Sequence, residues 1–194
     1  MKHPGNDSQI TPITKLFTYH IFGIPEVCKR YQVDINSYSL RITGLVDRKV
    51  ALSMDQLYNN FKPISSDMIL QCMTNVHWGR IHFKGARLLD VLDFAGFRKD
   101  AYKVVFHGAD GFSTNLRVDE IRRQQDAFLL AYAMNGDPLT LDHGFPLRMT
   151  ANHRYGYKWP KWVVKIELVD YDYKGHYEGK RGWSDEGMRG QPVT

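Results

Sequence analysis

Apolar and polar positions divide the chain into short elements separated by glycine and polar turns. Tyr38–Gly44 alternates, the period-two pattern of a half-buried strand. Asp47-Arg48-Lys49 turns the chain into Val50-Ala51-Leu52. Ser53-Met54-Asp55-Gln56 has capping-box form and predicts a short helix ending near Phe61. The run Met68–Cys72 is apolar and predicts a buried strand. Arg80–Phe83 leads to Gly85, and Ala86–Phe97 carries Leu88, Leu89, Val91, Leu92 and Ala95 at helical spacing, with Gly96 as the stop. Lys103–His107 predicts a strand and Val118–Gln125 a short helix. Phe128–Met134 predicts a strand that turns at Asn135-Gly136, with Leu139–Leu141 as its partner. Further strands begin at Pro146–Thr150 and run through Trp162–Asp170. Residues 1–15 read as a flexible arm and residues 16–194 as one α+β domain, whose tail from Tyr171 carries no clear element.

Composition narrows the class. The 194 residues are 43% hydrophobic and 24% charged, enough to bury a sizeable core without disulfides or structural metals. The net charge of +5 suits nucleic acid, a membrane surface or a phosphorylated ligand. The cations are dispersed, with no run of five, and many fall between Arg148 and Arg189. That distribution favours a local anion site over nucleic acid. No window approaches the ~20 apolar residues of a membrane span. The first nine residues lack the apolar core of an export signal. The expected compartment is the cytoplasm as the chain stands, or the periplasm if such a signal has been removed.

Two stretches carry candidate chemistry. Cys72 sits where the apolar run gives way to the polar loop Met73–Gly79. A thiolate there can ligate a soft or transition metal or act as a nucleophile; a free cysteine also simply fills space. Cys28, beside Lys29 and Arg30, reads as an incidental thiol, with a disulfide to Cys72 left open. The second stretch, residues 142–162, combines His143, Arg148, Arg154, Lys158 and Lys161 with two glycines and two prolines. Such a loop can bring amides and cations to a phosphate, or can be a solvated hairpin. There is no dinucleotide or P-loop glycine motif, no HExxH, no GxSxG and no CxxC.

The ordered set of these pieces resembles the molybdopterin-binding domain of the sulfite oxidase family. It comprises the strand ending in Cys72, Phe83–Leu92, Ala109-Asp110-Gly111-Phe112, His143-Gly144-Phe145-Pro146-Leu147-Arg148, Tyr155-Gly156-Tyr157-Lys158 and Lys161-Trp162. The resemblance covers roughly residues 16–185. It implies a mixed, largely β domain around a mononuclear molybdenum-molybdopterin cofactor, with Cys72 as the protein thiolate on the metal. It implies that His143, Arg148 and Lys161 hold the pterin and its phosphate, and that Trp159 and Pro160 line that site. Phe17, Tyr19 and His20 fall on the family's N-terminal contact segment, and His107 or Gly108 on another contact. Tyr155 and His77 join Cys72 as catalytic candidates, with Asn75, Tyr157 and Asp110 around them. Each of these also reads as a loop-capping or packing residue.

The departures bear on substrate. Sulfite oxidases carry an arginine in the N-terminal segment, where this chain has Thr18-Tyr19-His20, and another shortly after the metal cysteine, where it has His77. An oxyanion needs convergent cations to replace its water shell. The expected function is therefore oxygen-atom or electron transfer on a small substrate other than sulfite. The alternative is a molybdopterin-binding protein without turnover. The chain has no haem or iron–sulfur motif, so an enzyme of this kind needs a separate electron-transfer partner: a cytochrome, a flavoprotein or a membrane subunit.

Overall fold

The structure, a computed structural model, describes residues 9–194. In chain order the elements are α1 (Glu26–Val33), β1 (Leu40–Gly44), β2 (Val50–Leu52), α2 (Met54–Asn59), β3 (Pro63–Gln71), β4 (Trp78–Arg87) and α3 (Leu88–Ala95). They continue as β5 (Lys103–Gly108), β6 (Ser113–Arg117), α4 (Val118–Arg123), β7 (Phe128–Met134), β8 (Asp137–Pro138), β9 (Arg148–Ala151), β10 (Val163–Val169) and α5 (His176–Arg181). One sheet has the order β2-β1-β10-β5-β6, and only its β1–β10 pair is parallel. The other runs β3-β4-β7-β8, with β9 also paired to β7. Residues from both sheets and α3 form one contiguous apolar core. The chain is a single α+β domain rich in strands, as expected.

Local chemistry explains most boundaries. The capping box at Ser53 and Gln56 is formed in both directions, which satisfies two free amides at the start of α2. In α3 the residues at helical spacing, Leu88, Leu89, Val91, Leu92 and Ala95, are all buried. Each buried Leu or Val contributes about 1.5–3 kcal/mol. Gly96 ends α3 at φ 70, as the sequence predicts. The β3–β4 hairpin is the longest ladder, from Pro63 opposite Ala86 to Gln71 opposite Trp78. On its other edge β4 passes so close to β7 at Gly85 that any Cβ there would overlap the Leu130 carbonyl.

The differences from expectation have physical causes. β3 starts five residues before Met68, because its first half is largely exposed and shows no apolar run. β4 continues through Gly85 to Arg87, so the helix after it begins at Leu88 rather than Ala86. The partner of β7 at the Asn135-Gly136 turn is Asp137–Pro138, not Leu139–Leu141, because the chain leaves into a 3-10 turn at Leu141–His143. β6 was not legible because its buried centre includes Thr114 and Asn115, polar residues matched by carboxylates of the tail. Helices α1 and α5 were also missed; α5 has one buried residue, Glu178. Residues 1–8 of the expected arm lie outside the described residues. From Thr11 onward the arm is hydrogen bonded to β4, through Thr11 N–H to the Arg80 carbonyl at 2.8 Å.

Candidate functional site

The β3–β4 ladder ends at Gln71, and the next residue is Cys72. The loop Cys72–His77 closes on itself: Cys72 N–H donates to His77 O at 2.8 Å, and Asn75 N–H donates to Cys72 O at 3.0 Å. Asn75 takes φ 60, a left-handed conformation that Asn tolerates. Its side chain is held by Gln71 Nε2 at 2.7 Å and by the Tyr155 hydroxyl at 3.2 Å. The hairpin therefore fixes a partly exposed free thiol at a sheet end. Cys28 is also free and fully buried, and no disulfide joins it to Cys72; burial pushes its thiol up to about 12.

Cys72 opens into a cavity of about 860 Å³. Its inner wall comes from the 142–162 stretch: His143, Arg148, Trp159, Pro160 and Lys161. The N-terminal segment supplies Phe17 and Tyr19, and the thiol loop supplies His77, whose ring lies 5.7 Å from that of Phe17. Tyr157 and Asp110 line it too, so eleven of the residues singled out from sequence are brought to one cavity: these ten and Cys72.

Three others stand outside its wall. His20 is behind the rim, its Nε2 3.1 Å from the Asp142 carbonyl and its ring 5.5 Å from Trp162. His107 faces Glu167, with Nε2 to carboxylate at 3.1 Å. Its neighbour Gly108 is the residue that packs against the Lys161 backbone. Tyr155 is buried and directs its hydroxyl to Asn75, behind the thiol loop.

The inner wall is electrostatically unusual. Arg148 is buried and bonds only carbonyls, those of His143 at 3.0 Å and Trp159 at 3.5 Å. Burial pushes its guanidinium down to about 10. Lys161 Nζ likewise donates to the carbonyls of Tyr19 and Asp142, both at 2.9 Å. Burial and then Arg148 push it down to about 7. Burial, Arg148 and Lys161 push His143 down to about 4, so its ring is neutral at physiological pH. Thr140 Oγ1 is 2.7 Å from its Nδ1, while His143 Nε2 and Arg148 Nε are buried with no partner. Among the described residues no group of three His, Cys, Asp or Glu side chains could cage a metal. A metal at Cys72 would take its other ligands from a cofactor.

Sequence reasoning missed the outer wall. Beside Asp110 and Phe112 of the β5–β6 turn, which belong to the stretches named from sequence, the cavity is lined by Tyr177 and Arg181 of α5 and by Trp183 beyond it. Only the aromatic and charged composition of the tail hinted at them.

Comparisons with known proteins fit this geometry. A family model described as the oxidoreductase molybdopterin binding domain matches residues 27–177. The uncharacterized oxidoreductase YuiH of Bacillus subtilis is 35% identical over 164 residues, which cover 84% of this chain and 78% of that protein. Mitochondrial sulfite oxidase of Rattus norvegicus is 29% identical over 199 residues, and NADH nitrate reductase 1 of Oryza sativa is 29% identical over 176. The aligned regions are 35% and 19% of those longer proteins. The sulfane dehydrogenase SoxCD of Paracoccus pantotrophus shares the fold, with a TM-score of 0.76 at 20% identity over 94% of this chain and 48% of that one. The chain belongs to the oxidoreductase molybdopterin binding domain family.

Proposed function

We propose that this chain is a molybdenum-cofactor-dependent oxidoreductase, acting on a small substrate with Cys72 as the protein thiolate on the metal. The observation that carries the reading is a cavity with the free thiol of Cys72 in its wall and, in its inner wall, two cations that form no ion pair among the described residues. The donor set fits a molybdopterin. Its phosphate needs cations and free hydrogen-bonding nitrogens: Lys161 and Arg148 bond neutral carbonyls and keep their charge available, and among the described residues His143 Nε2 and Arg148 Nε have no partner. Soft sulfur suits the metal. When bound, the cofactor supplies two-electron redox and oxygen-atom transfer, while the protein orients and tunes it.

The chain's own residues then have distinct tasks. Lys161 and Arg148 neutralise the anionic end of the cofactor, and Trp159 and Pro160 wall it from water. Gln71, Asn75 and Tyr155 hold the loop that presents Cys72, so Tyr155 acts as a positioning residue rather than a catalytic one. His77 is exposed at the mouth, where it can exchange protons between substrate and solvent. Electrons enter or leave through a separate carrier.

Molybdenum and pterin are measured on protein from a molybdate-replete host, followed by oxidation of reduced methyl viologen with a panel of S- and N-oxides. The expected result is one molybdenum per chain and turnover that Cys72→Ser abolishes while pterin is retained. Full turnover by Cys72→Ser would overturn the ligand assignment. Bound cofactor with no redox exchange in either direction would favour binding without turnover, the reading that the missing arginines motivate.

A further inference from the structure

The tail after β10 forms the outer wall of the cavity, and it is built as a fixed element. Glu178 of α5 pairs with Lys158 at 2.6 Å, both side chains being essentially unexposed, and accepts from Thr114 Oγ1 at 2.7 Å. Further along, Asp185 bonds buried Lys103 and accepts from Asn115 Nδ2 at 3.2 Å, and the Tyr157 hydroxyl donates to Ser184 O at 2.7 Å. Between these anchors Gly182 turns the chain at φ 65, a left-handed position suited to glycine. The reversal brings Trp183 back over Tyr177, their rings stacked at 4.3 Å and 5°. Tyr177 and Arg181 are four residues apart and therefore share a face of α5; both line the cavity. Among the described residues Arg181 has no carboxylate partner, and its side chain is exposed at the mouth.

We propose that this wall selects the substrate: an organic monoanion whose charged group pairs with Arg181 and whose apolar body lies on the Tyr177–Trp183 stack. This rests on the oxidoreductase reading of the same cavity. Charge count argues for it. The deep cations, Arg148 and Lys161, are committed to the anionic end of the cofactor. The mouth then offers one guanidinium, while Asp110 and Asp142 in the cavity wall oppose a second negative charge. A small inorganic oxyanion leaves water only for several convergent donors, which one arginine does not supply. A flat aromatic stack facing Leu16, Phe17 and Ile21 instead rewards apolar surface. The wall and the thiol belong to one cavity, since Cys72, Tyr177, Arg181 and Trp183 all line it.

Benzenesulfonate, its neutral isostere benzenesulfonamide and inorganic sulfate serve as probes of the cofactor-loaded protein, titrated by calorimetry. Benzenesulfonate is expected to bind at least tenfold more tightly than either of the others. Arg181→Gln should erase its advantage over the sulfonamide, and Arg181→Lys should restore part of it. Trp183→Leu should weaken both aromatic probes and leave sulfate unchanged. Sulfate binding as tightly as benzenesulfonate would overturn the proposal, as would an Arg181→Gln variant that still discriminates the two aromatic probes. Molybdenum and pterin are assayed on the same samples. Absent cofactor counts against the oxidoreductase reading, and absent discrimination counts against this wall.

Discussion

Two groups of cations, all buried except the half-buried Lys161, divide the molecule. Arg154, Lys158 and Lys103 meet carboxylates: Glu120 at 2.9 Å, Glu178 at 2.6 Å, and the pair Asp172 and Asp185. Among the described residues Arg148 and Lys161, a few residues away in sequence, bond carbonyl oxygens and aromatic rings and form no ion pair, although the carboxylates of Asp110 and Asp142 act on Lys161 from a distance. A buried charge is tolerable when paired and costly when not. The first group needs nothing further and ties the tail and α4 to the body. The second is incomplete without an anion, and both of its members face the cavity. The same residue types in one stretch thus serve structure or binding according to their partners.

The largest test of this division is Lys158→Met. Removing one member of a buried pair strands Glu178 and should cost about 3–5 kcal/mol in denaturant unfolding. Lys158→Met with Glu178→Leu should recover most of that loss. If the single variant were neutral, the pair would not be an anchor and the paired group would lose its meaning.

A pH test addresses the second group. Burial beside Arg148 and Lys161 lowers His143 from 6.5 to about 4 in the folded chain. Between those values the unfolded chain binds the extra proton, so stability falls as pH drops from 6.5 towards 4. At about 1.4 kcal/mol per pKa unit the loss is about 3 kcal/mol. The difference between the cofactor-free wild type and His143→Gln, followed by chemical denaturation across that range, isolates this from the carboxylates. Parallel curves would mean that His143 does not share the cations' field.

Legibility followed the same division. The thiol was readable because Met68–Leu70 is apolar and the loop after Cys72 is polar, so the boundary itself marked a sheet end. The inner wall was readable because Arg148 and Lys161 lie in one glycine- and proline-marked loop. The loop's composition alone did not separate them from Arg154 and Lys158, whose partners Glu120 and Glu178 are 34 and 20 residues distant; only the family resemblance singled out Arg148 and Lys161. The outer wall was hidden for the same reason. β6 looks polar until Thr114 and Asn115 meet Glu178 and Asp185 of the tail, and those contacts place Trp183 and Arg181. Tyr155 and Tyr157 could not be told apart from sequence: Tyr155 precedes the 3-10 turn Gly156–Lys158 and directs its hydroxyl to Asn75, whereas Tyr157 within the turn lines the cavity.

Lys161→Met sharpens the comparison at the smallest scale. Lys161 has no carboxylate to strand, and its charge is already disfavoured, since burial lowers it to about 7. Between pH 7 and 10.5 the unfolded lysine binds the proton that the folded one has lost, so the native group works against stability there. Replacing it with methionine should leave the cofactor-free chain at least as stable as wild type, because the charged form that burial disfavours is gone. Retention of the phosphate-bearing cofactor should fall at least tenfold, about 1.4 kcal/mol. For the wild type, pyrophosphate binding to the cofactor-free chain should weaken as pH rises through 7 and Lys161 loses its proton, and Lys161→Met should flatten that dependence. A loss of several kcal/mol on Lys161→Met, with cofactor retention unchanged, would move this lysine into the structural group. The division would then rest on Arg148 alone, which, lowered only to about 10, stays charged as pH rises through 7 and predicts no such slope there.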